Sequence, residues 1–268
     1  MKEKVFDSHI HVYPEKIASK AVSNLENFYH ISCEGRGTLS DLLLSEEKAG
    51  VSGLLFLGVA TQLEQVENVN LYLQAAKQEA IHRGFDAYAF AGYHQDITNP
   101  EKMVQKIIEN GFSGIKIHPD LQNIAIDDLR LWNLYCQAEG KLPICFHMGD
   151  IQNRSDLSSP ERLVRVLKEF PNLTVIAAHM GGVFCWEKVV EIYKGQQNLF
   201  FDCSSTLEFM DAPKATDLIR KIGTKRIFFG TDYPICQAEQ VLSHFHLLNL
   251  TKSEKEDILW NNVHRLLT

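Results

Sequence analysis

The chain of 268 residues has no surplus of positive charge: 27 Lys and Arg stand against 34 Asp and Glu, a formal charge of −7. A nucleic-acid partner is therefore not expected, because phosphates are neutralised by clustered Lys and Arg. Long apolar runs are also missing. None approaches the roughly 20 residues that cross a bilayer, so no membrane association is expected. The opening MKEKVFDSHIHVYP holds no apolar stretch ahead of a small-residue cleavage site, and a secretory signal is not expected either. The six cysteines (Cys33, Cys136, Cys145, Cys185, Cys203, Cys236) form no CxxC and no paired spacing. That suits a reduced thiol set and a cytoplasmic location. Pro/Gly/Ser-rich linkers, internal repeats and low-complexity tracts are absent, and a single domain over 1–268 is expected. With 45% hydrophobic and 23% charged residues, the composition excludes a disordered chain and a coiled coil.

What is present is a repeat of element types. Apolar, β-branched or aromatic runs occur at Val5–His11, Gly53–Val59, Asp86–Tyr93, Gly114–His118, Leu142–His147, Leu173–His179, Asn198–Cys203 and Arg226–Thr231. Between them lie helical patterns at Leu63–Arg83, Pro100–Asn110, Asp127–Gly140, Pro160–Phe170 and Pro213–Ile222. Asn99-Pro100 and Ser159-Pro160 each place a capping side chain before a first-turn proline. Asp127 precedes Leu129, Leu131, Trp132 and Tyr135, spaced for one buried face. The longest irregular stretch, about Val12 to Thr38, is expected to be a loop of functional length. Strands alternating with helices imply parallel pairing. Eight of them predict a (β/α)8 TIM barrel of α/β class, closed by a C-terminal helix.

The first run ends Asp7-Ser8-His9-Ile10-His11. Period-two alternation points His9 and His11 the same way, so two imidazoles can converge on one ion. His147, His179 and Asp232 are each the first strongly polar group after an apolar strand, and each precedes a turn signal. In a parallel barrel all strand C-termini open on the face that holds the active site. Five metal-competent side chains are thus expected on one rim. Lys116 and His118 share a strand face. Lys116 can be a carbamate bridging two metals, a charge partner for an anionic substrate, or half of a buried ion pair. Arg36 and Arg154 lie in the first and fifth rim loops, where a guanidinium can fork onto a carboxylate; exposed loop arginines are the alternative. Lys116, His118, Arg154 and Arg36 are the substrate-binding candidates. His30, His82, His244, His246 and His264 are expected to be structural or solvent-facing.

The pieces FDSHIH, GIKIHP, FHMGD, AAHMGG, FFGTDYP and NNVHRLL run in order along almost the whole chain. In them the chain resembles the amidohydrolase superfamily, in its amidohydrolase-related branch of aminocarboxymuconate-semialdehyde-decarboxylase-like proteins. That resemblance implies His9, His11, His147 and Asp232 as metal ligands. It makes His179 a second-metal ligand or a catalytic hydrogen-bonder. Binuclear relatives carry glutamate or carbamylated lysine on the fourth strand, where this chain has Lys116, so one metal or two is left open. Zinc is the first choice for such N/O ligands, and manganese also fits. The activity expected is metal-dependent hydrolysis of an amide, lactone or ester of a small, anionic substrate, with Asp232 and His179 catalytic. The alternatives are metal-dependent decarboxylation of an aromatic or unsaturated carboxylate, and a catalytically silent ligand-binding barrel. The small-molecule substrate is the partner expected, with assembly into a homo-oligomer left open.

Overall fold

The computed structural model describes residues 3–152 and 154–268. Eight strands form one sheet in chain order: β1 (Phe6–Ile10), β2 (Gly53–Leu57), β3 (Asp86–Gly92), β4 (Gly114–Ile117), β5 (Ile144–Phe146), β6 (Val175–Ala177), β7 (Leu199–Asp202) and β8 (Ile227–Phe228). The pairs β1–β2, β3–β4, β4–β5, β5–β6 and β6–β7 are parallel. The helices are α1 (Glu15–Tyr29), α2 (Leu39–Ala49), α3 (Val66–His82), α4 (Pro100–Glu109), α5 (Pro119–Gln122) and α6 (Trp132–Ala138). They continue with α7 (Pro160–Glu169), α8 (Trp186–Ile192), α9 (Ala212–Ile222), α10 (Ala238–His246), α11 (Lys252–Glu256) and α12 (Asn262–Leu267). The α/β alternation of the (β/α)8 barrel is borne out. No helix among the described residues is long and apolar enough to cross a membrane.

The chain packs into two compact units. The first takes in the chain up to Phe56, Tyr72–Tyr88 and Asp202–Thr268, and the second takes in Leu57–Leu71 and Ala89–Phe201. In each unit a phenylalanine ring on one strand covers a glycine on the next: Phe6 pairs with Gly53, and Phe90 with Gly114. A Cβ on Gly114 would lie 2.5 Å from Phe90, so only glycine admits the ring. The closing helix docks through Asn262, whose side-chain amide donates to Thr224 O at 2.7 Å and Ile227 O at 2.8 Å.

Local signals held unevenly. Asn99 caps α4 by accepting from Lys102 N at 2.9 Å, whereas the Ser159 hydroxyl makes no capping bond at α7. Asp128, not Asp127, caps the turn before α6; Asp127 is taken by Arg162 and Arg165. Leu131 and Tyr135 are buried as expected, but Leu129 is exposed because it falls in the 3-10 turn Leu129–Leu131, outside the helical phase. The stretch expected to be irregular contains α1. Ala18, Ala21, Val22, Leu25 and Tyr29 carry its helical spacing, and His30 ends it in the left-handed region.

Glu46, on α2, is wholly buried, and neither carboxyl oxygen has a hydrogen-bond partner among the described residues. Burial, reinforced by the like charge of Asp7, holds its carboxyl well above the usual range. A buried acid with a raised pKa stabilises the fold fully below the unfolded value, near 4.5. That stability is lost as pH rises through the folded pKa. Melting at pH 5 and pH 8.5 should therefore show Glu46→Gln gaining on the parent at the higher pH. An unchanged difference between the two proteins would refute the protonated state of Glu46.

Candidate metal centre

The first unit brings three sequence-expected ligands together. Along β1 the register slips between Asp7 and Ile10, so three steps on this strand match two on β2. Such a bulge re-aims side chains locally. His9 Nε2 lies 3.2 Å from His11 Nε2 and 3.4 Å from Asp232 Oδ1. His11 Nε2 lies 3.6 Å from the same oxygen. Asp232 stands beyond the end of β8 at φ 62°, and its backbone N–H donates to His9 O at 2.9 Å. That left-handed turn carries the carboxylate back over the end of β1.

The donor set fits a divalent cation. Tetrahedral bonds of about 2.0–2.2 Å imply ligand-to-ligand edges of about 3.3–3.6 Å, close to the three distances found. Asp202 Oδ2 accepts from His9 Nδ1 at 3.0 Å. This fixes the tautomer and leaves Nε2 with its lone pair. With the proton on Nδ1, His9 Nε2 accepts from His11 Nε2 at 3.2 Å, and a divalent cation would take that lone pair together with the nearby Asp232 oxygen. Ser204 bonds the other oxygen of Asp202 and lies 3.2 Å from His9 Nδ1. The Ser205 hydroxyl donates to Asp232 Oδ2 at 2.6 Å.

Asp7 braces the cluster. It accepts from Thr231 N at 3.0 Å, Thr231 Oγ1 at 2.5 Å and His9 N at 3.1 Å. Burial outweighs these bonds and pushes its carboxyl up to about 7. Gly230 completes the fit, since a Cβ there would lie 3.0 Å from His9 Cβ.

The second unit gathers the other candidates. His147 Nε2 donates to Gly149 O at 3.0 Å, so its Nδ1 accepts from His179 Nε2 at 2.9 Å. His118 stacks on His147 with ring centroids 4.0 Å apart. His179 is held at φ 58°, and Trp186 Nε1 donates to its carbonyl at 2.9 Å. Lys116 is buried and pairs in register with Cys145, its Nζ 3.6 Å from Sγ. His118, Asp120 and His147 offer ligand atoms within 4.8 Å of one another. Arg154 lies against Asp150, with Nη2 3.3 Å from Oδ1, and the exposed Arg36 lies against Asp41. Both arginines are thus engaged with carboxylates of the chain. Asp202, Ser204 and Ser205 were missed from sequence. The signal was there for Asp202, the first strongly polar residue after the apolar run of β7.

A family model described as amidohydrolase matches residues 37–268. The chain belongs to the amidohydrolase family. That makes it an enzyme of a family that implies a divalent metal, and in the first unit His9, His11 and Asp232 could hold one. No curated protein matches this amidohydrolase-family chain by sequence. Its fold is similar to that of an uncharacterised TIM-barrel protein, Bb4693, from Bordetella bronchiseptica. That likeness has 20% identity, 98% coverage of each chain and a TM-score of 0.79. It is also similar to a dihydroxybenzoic acid decarboxylase from Polaromonas sp. JS666, solved with bound manganese and the inhibitor 2-nitroresorcinol. There the identity is 13%, coverage 99% of this chain and 96% of that one, and the TM-score 0.72. A putative 2-pyrone-4,6-dicarboxylic acid hydrolase from Pseudomonas putida gives 14% identity, coverage of 100% and 98%, and a TM-score of 0.68.

Removing the carboxylate behind His9 tests this arrangement. Partners of a metal-bound imidazole are typically worth 10–100-fold in metal affinity. Asp202→Ala should lose metal to a competing chelator at about that ratio while its far-ultraviolet spectrum stays that of the parent. Unchanged affinity would show that Asp202 does not orient His9.

Proposed function

We propose that the chain is a metal-dependent hydrolase that adds water to an amide, lactone or ester of a small, anionic substrate. The observation that carries this reading is the His9–His11–Asp232 triangle, in which His9 and Asp232 are buried and His11 is partly buried, with Asp202 fixing the His9 tautomer. In this reading His147 would be the fourth ligand of one ion, most simply zinc, with manganese as the other candidate, its Nδ1 giving up the hydrogen bond from His179 to do so. His179 joins as a ligand only if a second ion binds. The family pattern at FHMGD and the place of His147 beyond an apolar strand support that assignment.

A divalent ion supplies Lewis acidity and brings the pKa of a bound water to about 7. Asp232 takes the proton of the attacking water and returns it to the leaving group. Its Oδ2 is steadied by Ser205, so proton transfer occurs at a carboxylate of fixed orientation. The His179 Nε2–H, released when His147 turns to the ion, would donate to the substrate oxygen as negative charge develops there. Lys116, His118, Arg154 and Arg36 are assigned to the substrate. An anionic substrate would draw the two arginines away from Asp150 and Asp41. The chain is read as one cytoplasmic domain.

Decarboxylation is the second reading, supported by the dihydroxybenzoic acid decarboxylase among the proteins of similar fold. The two chemistries use the same ligands and differ in water consumption and carbon dioxide release. In a screen of amides, lactones and aromatic carboxylates, hydrolysis without carbon dioxide is expected. With a substrate in hand, Asp232→Asn should lower kcat by about 10²–10⁴-fold, the usual loss on removing a positioned base. His179→Asn should lower kcat while retaining the metal of a mononuclear site. Full turnover in Asp232→Asn would rule out the mechanism; carbon dioxide without net hydrolysis would select the second reading.

A further inference from the structure

Tyr13, between β1 and α1 in the first unit, follows the ligand candidate His11 by two residues. Val12, between them, is buried, whereas His11 and Tyr13 are both half-buried. Tyr13 forms a parallel bridge with Thr38, so the chain is extended there. Side chains two apart on an extended chain share a side, which puts the Tyr13 ring on the side of His11.

Several contacts fix that ring. Its backbone N–H donates to Gly37 O at 2.8 Å, and its carbonyl accepts from the Tyr72 hydroxyl at 2.9 Å. The ring lies against Gly37, where a Cβ would come 3.1 Å from Cδ2. Gly37 N donates to the Tyr233 hydroxyl at 3.1 Å, and that hydroxyl donates to Asp41 Oδ2 at 2.7 Å. Tyr233 directly follows Asp232, and its carbonyl accepts from His11 N at 2.8 Å. The frame that seats Tyr13 is therefore built on the same backbone that places two of the ligand candidates. A side chain locked by its surroundings in this way is what a binding site requires.

The hydroxyl itself has no task in the fold: it makes no hydrogen bond among the described residues. Phenols are protonated below about pH 10, so it is a donor at neutral pH. Burial raises its pKa and the Asp232 carboxylate adds to the rise, which puts the hydroxyl within the field of that carboxylate. Asp232 is already engaged, with Ser205 on Oδ2 and the two imidazoles beside Oδ1. A donor in this position calls for an acceptor from outside the chain, and a charged acceptor makes the stronger bond. Arg36, beside Gly37 in sequence, brings a cation to the same loop.

We propose that Tyr13 is a substrate-binding residue of the metal centre, its hydroxyl donating to a carboxylate of the substrate. The proposal rests on the metal-dependent reading above and adds to it a group that receives the substrate's charge.

Calorimetric titration of the zinc-loaded full chain with benzoate, for the parent and for Tyr13→Phe, tests this role. The variant keeps the ring and loses only a hydroxyl that bonds nothing in the fold, so it should fold as the parent does by circular dichroism. At equal metal content, benzoate should bind the parent and bind Tyr13→Phe about tenfold or more weakly, the scale of losing a hydrogen bond to a charged group. Benzoate should also give a tyrosine difference spectrum in the ultraviolet with the parent, as the phenol begins to donate, and none with Tyr13→Phe. A residue that only fills space would move neither readout. Equal affinity in the two proteins, no benzoate binding by the metal-loaded parent, or the same difference spectrum from both would overturn the proposal and leave the metal centre standing. A parent that holds no metal would overturn both.

Discussion

Three electron-pair donors held within 3.2–3.6 Å of one another in a nearly dry place are the constraint on which the site depends. Imidazole nitrogens and a carboxylate oxygen at that spacing repel through their lone pairs unless a proton or a cation lies among them. The surrounding groups limit the protons available. Asp202 takes the Nδ1 hydrogen of His9, and Ser205 occupies the second oxygen of Asp232. With the His11 proton on its other nitrogen, the cluster would present two imidazole lone pairs and a carboxylate oxygen, a donor set that suits a divalent ion. The bulge in β1 and the left-handed turn at Asp232 can be understood as the backbone geometry this convergence requires.

Carboxylates around the cluster are managed in three different ways. Asp202 is spent on His9, as the oriented partner of a ligand. Asp7 is spent on backbone and hydroxyl donors of Thr231 and on His9 N, tying β1 to the segment after β8. Glu46 has no such donors and is carried by protonation. A divalent ion among several acids is favoured by their summed charge, while the raised pKa values of Asp7 and Glu46 limit how much negative charge the fold must bury.

Much of this was legible in the sequence because it follows from periodicity and strand ends. His9 and His11 share a face by alternation, and Asp232 is the polar residue that ends an apolar strand. The eight runs give the eight strands, each shorter than its apolar stretch. His147, His179 and Asp232 leave the ladder so that their side chains turn with the loop. Three things were not legible. The helix Glu15–Tyr29 buries only Ala18 and Tyr29 of its fifteen residues, so its apolar stripe is thin. Ser204 and Ser205 act through hydrogen bonds whose acceptors are distant in sequence, and nothing local marks a serine for that. Glu46 sits in an ordinary amphipathic helix, where an acid reads as solvent-facing until packing places it inside.

The central claim is that this acceptor cluster exists to hold a divalent metal. The most direct measurement is metal analysis of the chain purified after growth with added zinc or manganese, beside a His9→Ala/His11→Ala double variant of matching circular dichroism. The account expects at least about one equivalent of tightly held ion in the parent and little in the double variant; less than about 0.3 equivalent in the parent, or equal metal in both proteins, would contradict it.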